Sequence, residues 1–118
     1  MTPEEKHHII QKALDTFGLD HQIDKMIEEL GELLQATIKL RQATHSGRIS
    51  TDDSITSKFF ENFIEELADV DVLRDQIVYA FDMESEKSLF YEIKRQKFTR
   101  LLKRMSQSTL EDHELFSN

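Results

Sequence analysis

Two short stretches of the chain each set a pair of carboxylates three residues apart. The first reads Glu28-Glu29-Leu30-Gly31-Glu32 and the second Glu65-Glu66-Leu67-Ala68-Asp69. Residues three apart on a helix are neighbours on one face, so Glu29 stands beside Glu32 and Glu66 beside Asp69. Like charges held that close repel, and a divalent cation between them is the simplest neutraliser. Carboxylate oxygens without His or Cys suit Mg²⁺ or Mn²⁺. Helical bundles that hold di-iron use Glu-x-x-His, and neither segment has it. Mg²⁺ in a carboxylate site keeps open positions, which phosphate oxygens of a substrate commonly fill. A single Glu-x-x-Glu is a common solvated helix face. Two such pairs, each in a Glu-Glu-Leu-small context on successive helices, favour a built metal site: Glu29, Glu32, Glu66 and Asp69.

The pairs need helices to carry them. Thr2, Pro3 and Glu5 read as a helix start, with a capping Thr, Pro in the first turn and a capping-box Glu. Ile9, Ile10, Ala13, Leu14 and Phe17 recur at helical spacing and Gly18 is a natural stop, which predicts helix one over 3–17. Helix two is expected over 21–44, with Ile23, Met26, Ile27, Leu30, Leu34 and Ile38 as its apolar stripe. On that wheel Glu29 and Glu32 lie on the stripe's flank. The segment from Thr44 to Ser57 holds Gly47, two Asp and several Ser and Thr, and reads as a loop, 45–57, of the length that is usually functional. Helix three is expected over 57–82, with Phe59, Phe63, Leu67, Val70, Ile77 and Phe81 on one face and Glu66 and Asp69 at its edge and beyond. Ser85 is the expected cap of helix four over 86–105, with Leu89, Phe90, Ile93, Leu101 and Met105 facing inward. The polar tail 106–118 is expected to fray.

The class that follows is all-α: a single four-helix bundle-like domain over 1–118. Gly numbers 3 and Pro 1, too little punctuation for a many-stranded sheet. Hydrophobic residues make up 38%, below the usual share, so burial against further copies is expected. A net charge of -8 repels a phosphodiester backbone and argues against nucleic acid as a partner. No run of residues approaches membrane-spanning length and the N-terminus has no apolar signal core, so a cytoplasmic protein without a membrane partner is expected. The absence of Cys removes thiolate metal sites and thiol nucleophiles.

Helix four carries Lys94, Arg95, Lys97, Arg100, Lys103 and Arg104. Most of these balance an acidic surface. Lys97 differs, because it falls between Ile93 and Leu101 on the apolar stripe, flanked by Lys94 and Arg104. It either snorkels to water or reaches a bound anion such as phosphate. Asp71 and Arg74, three apart on helix three's apolar face, read as a charge pair in the core or at a subunit interface, the other reading being an Arg74 that reaches a ligand in a partner subunit. No catalysis is assigned to the five His residues, and His21-Gln22 reads as a plain helix entry, the other reading being a pair that lines a base pocket.

The segments Ile27-Glu28-Glu29-Leu30-Gly31-Glu32-Leu33 and Glu65-Glu66-Leu67-Ala68-Asp69-Val70 resemble the two halves of the MazG-type motif of the all-α nucleoside triphosphate pyrophosphohydrolases, a group that includes MazG and the dimeric dUTPases. The resemblance covers about 20–105 by motif and helix order. It implies a helical bundle that forms a homodimer or homotetramer. It also implies Mg²⁺-dependent hydrolysis of a nucleoside triphosphate to the monophosphate and pyrophosphate, in nucleotide house-cleaning or pool control. Glu29, Glu32, Glu66 and Asp69 match the family's metal ligands. Lys97-Phe98-Thr99-Arg100 is similar to its basic segment, which makes Lys97 and Arg100, with Lys94 beside them, expected phosphate contacts. The stretch between Glu32 and Glu66 is longer than usual for the motif, and Arg95 stands where MazG often has Asn. Glu29 and Glu32 are the expected general bases for an attacking water. The alternative is a non-catalytic helical module that senses a nucleotide or binds a protein.

Overall fold

The computed structural model describes residues 1–44, 54–81 and 88–116, with side chains over 1–44, 57–81 and 88–107. Four helices and no strand occur among them: α1 (Pro3–Phe17), α2 (Leu19–Thr44), α3 (Ser54–Phe81) and α4 (Leu89–Phe116). The class is all-α and bundle-like. The chain divides into two units, Met1–Phe81 with α1 to α3 and Asp82–Asn118 with α4. No helix among the described residues is long and apolar enough to cross a membrane.

Local chemistry sets α1. The Thr2 hydroxyl accepts the Glu5 N–H at 3.1 Å, and Pro3 occupies the first turn, where no N–H is needed. Gly18 ends the helix. Its N–H reaches the Leu14 carbonyl at 2.8 Å with φ at +86°, a conformation open to Gly and strained for other residues. The Gly18 carbonyl then accepts the Gln22 N–H at 3.2 Å, so one glycine closes α1 and opens α2. For that reason α2 starts at Leu19 rather than at 21.

α2 and α3 run antiparallel. Gln22 meets Gln76 near one end, and Glu29 meets Glu66 and Asp69 further along. The seam on α2 follows alternating steps of four and three: Gln22, Met26, Glu29, Leu33, Ala36, Leu40 and Ala43, all buried or half-buried. On α3 the seam runs through Phe59, Phe63, Glu66, Val70, Leu73, Ile77 and Ala80. Ala36, 2% exposed, is its most enclosed side chain. α1 lies against α3, held by the Lys6–Asp75 ion pair at 2.8 Å and by His7 against Tyr79 with ring centres 5.3 Å apart.

Met26 of the expected α2 stripe and Phe59, Phe63, Val70 and Ile77 of the expected α3 face lie in this seam, and the rest of the expected packing is corrected. The stripe Ile27, Leu30, Leu34 and Ile38 does not face α3; Ile27 is 63% and Leu34 61% exposed. Leu67 and Phe81 of α3 are exposed too. Each helix is apolar over a wide arc, and its helical neighbours cover only part of it. The seam takes the arc that carries Gln22, Glu29, Glu66 and Gln76, where buried polar groups can meet one another.

Element ends moved as well. α3 is already helical from Ser54, so the end of the expected loop 45–57 belongs to the helix, and the rest of that loop lies outside the described residues. The expected Ser85 cap also lies outside them. Ser88 serves instead: its hydroxyl accepts the Tyr91 N–H at 3.4 Å and its carbonyl the Glu92 N–H at 3.2 Å, so α4 begins at Leu89. Backbone helix continues to Phe116, through most of the stretch expected to fray. The apolar residues expected to face inward on α4 are exposed at Leu89, Ile93, Leu101 and Met105.

Candidate metal centre

The α2–α3 seam brings three acidic side chains together. Glu29 from α2 and Glu66 and Asp69 from α3 each offer an oxygen, and these oxygens all lie within 4.8 Å of one another. An ion that holds its ligands at about 2.1 Å separates opposite oxygens by about 4.2 Å, so the spacing is close to what one cation needs. Glu29 sits in the seam itself at 8% exposure, not on a flank. Glu66 is half-buried, and Asp69 opens the cluster to water.

Two oxygens in this cluster have no partner. Glu29 Oε2 and Glu66 Oε2 are buried and accept no hydrogen bond. A buried carboxylate oxygen without a donor loses its hydration and gains nothing in return. Such atoms mark a place for a proton or a cation, and their chemistry is that of a hard-metal ligand. The donor set therefore fits Mg²⁺ or Mn²⁺.

Glu32 is outside the group of three. It is exposed one turn further along α2, and it still acts on the cluster. Burial is the largest influence on Glu29 and pushes its pKa up; the Glu32 carboxyl adds to this through hydrogen-bond contact and like charge. Lys25 opposes both. Its Nζ lies 3.4 Å from Glu29 Oε1 and 3.3 Å from Glu28 Oε2, and those carboxylates, Glu28 foremost, raise the Lys25 pKa and hold it charged.

Lys25 was not singled out by the motif, although its spacing signals it: three and four residues before two glutamates, one turn away on the same face. Gln22 is the second omission. It is no plain helix entry. Its amide donates to Gln76 Oε1 at 2.6 Å across the seam, and its own oxygen contacts His21 Nδ1 at 2.8 Å. That bond lies along the same seam as the carboxylates and fixes the register of α2 on α3. Arg74 pairs with Asp71 and with Asp75, at 2.9 Å each, on its own helix.

On α4, Lys94, Lys97 and Arg100 are exposed. Lys94 and Lys97 line a shallow groove with Phe90, Ile93, Phe98 and Leu101.

Comparison with family models, curated proteins and solved structures finds no match to the chain.

Proposed function

We propose that the chain is a divalent-cation-dependent nucleoside triphosphate pyrophosphohydrolase. The observation that carries the reading is the convergence of Glu29, Glu66 and Asp69 around two buried oxygens that lack partners. The substrate class rests on the resemblance of the two acidic segments to the MazG-type motif.

In this reading Glu29, Glu66 and Asp69 hold Mg²⁺ or Mn²⁺. The bound ion would neutralise triphosphate charge and polarise the bond to be broken. Glu32 has a different part. It is exposed, beside Glu29 and outside the ligand group, so it is the carboxylate available to accept a proton from water. Water supplies the hydroxyl, the bond between the α- and β-phosphates breaks, and the products are a nucleoside monophosphate and pyrophosphate. The role of Lys94, Lys97 and Arg100 at phosphate charge rests on the resemblance of Lys97-Phe98-Thr99-Arg100 to the basic segment alone. Exposed Ile27, Leu30, Leu34 and Ile38 support a homodimer or larger homo-oligomer.

The test is a panel of common and modified ribo- and deoxyribonucleoside triphosphates with Mg²⁺, read by pyrophosphate release. Release with at least one of them is expected, and Glu32→Gln should lower turnover by about 10²- to 10⁴-fold, the usual worth of a general base. No release from any nucleotide would sink the enzyme reading. Nucleotide binding without turnover would instead support a sensor.

A further inference from the structure

The cluster contains a cation that the motif does not name. Lys25 Nζ rests between Glu29 Oε1 at 3.4 Å and Glu28 Oε2 at 3.3 Å. The two acceptors differ in setting. The Glu29 side chain is 10% exposed and belongs to the group of three; the Glu28 side chain is 59% exposed and lies outside it. Lys25 itself is 43% exposed, so its ammonium can move without crossing packed side chains.

We propose that Lys25 is a built-in counterion of the carboxylate cluster, competing with the divalent cation for Glu29 and withdrawing to Glu28 when that cation binds. The inference rests on the metal reading above. Its physical basis is simple electrostatics. Three carboxylates within 4.8 Å of one another repel, and one ammonium on Glu29 offsets part of that repulsion while the cluster holds no metal. The same ammonium opposes an arriving divalent ion. Charges of one and two units about 5 Å apart, in water-like surroundings, repel by an energy worth about one order of magnitude in affinity. Glu28 gives the displaced ammonium an acceptor one residue away, so displacement does not leave Lys25 unpaired. Lys25 thus sets a threshold: an ion must bind the carboxylates more strongly than an ammonium does.

The experiment is calorimetric titration of the full chain with Mn²⁺ at low ionic strength, for the natural protein, Lys25→Met and Lys25→Arg. Lys25→Met should bind Mn²⁺ about tenfold more tightly. Lys25→Arg keeps the charge and should stay within about threefold of the natural protein. Helix content by circular dichroism checks each variant, and Lys25→Gln replaces Lys25→Met if the latter fails to fold. Unchanged or weaker binding in Lys25→Met, with the natural protein binding normally, overturns the role of Lys25 alone. No Mn²⁺ binding by the natural protein overturns both that role and the metal reading.

Discussion

A carboxylate that is only 8% exposed must be protonated, paired or bound to a cation. Glu29 is paired at one oxygen, with Lys25, and bare at the other. Its raised pKa has a thermodynamic consequence with a definite sign. The folded chain binds a proton at Glu29 at pH values where the unfolded chain has already released it. Stability from this group is therefore intact below the ordinary carboxylate pKa and is lost as pH rises through the raised value. Asp75 has the opposite sign: burial would push it up, but Lys6 and Arg74 outweigh burial and hold it low, so its contribution is lost on acidification. Comparing variants isolates Glu29. In chelator, the melting temperature of Glu29→Gln minus that of the natural protein should be near zero at about pH 4 and positive at about pH 7. Adding Mg²⁺ at the higher pH should shrink the difference by raising the natural protein alone. A difference that stays flat across this range would contradict the assignment of Glu29 as a strained, cation-seeking group. The carboxylate types and spacing were legible in the sequence. The burial of Glu29 and the exposure of Glu32 were not, because one turn of helix separates a seam position from a solvent position and only packing distinguishes them.

Among the elements, α1 was the most legible. Thr2, Pro3 and Glu5 signal its start and Gly18 its stop, and all act within a few residues of themselves. α2 was the least. It offers two stripes, Ile23, Met26, Ile27, Leu30, Leu34 and Ile38 against Gln22, Met26, Glu29, Leu33, Ala36, Leu40 and Ala43, which share Met26 alone. The first is more apolar, and the second makes the seam. Hydrophobic periodicity cannot rank them, because the choice depends on Gln76 and Glu66 across the interface. The unused stripe has its own implication. It lies about a third of a turn from the seam, and Phe60, Ile64 and Leu67 on α3 are rotated by about the same amount from theirs. In an antiparallel pair such offsets fall on one side, so the α2–α3 hairpin carries an apolar face opposite its acidic rim. The proposed homo-oligomer would cover this face. Size-exclusion chromatography with light scattering should give at least twice the chain mass of 13.9 kDa, and Leu34→Glu with Ile38→Glu should shift it toward one chain. A natural protein that runs as one chain at high micromolar concentration would exclude the interface.

At the scale of the whole molecule, composition was a sound guide to class. Few Gly and Pro leave helices as the building element, and the described residues form four of them. The polar stretch from Ser106 reads as a fraying tail, while helix continues through it to Phe116. The central claim concerns one place in this molecule, the space between Glu29, Glu66 and Asp69. Crystals grown with Mn²⁺ and measured at an anomalous wavelength test it most directly. The account predicts one strong anomalous peak within bonding distance of all three carboxylates, with Lys25 turned to Glu28, and no peak there in Glu66→Gln crystals. A saturating Mn²⁺ experiment with no peak between these residues, or with the only ordered Mn²⁺ elsewhere, would contradict it.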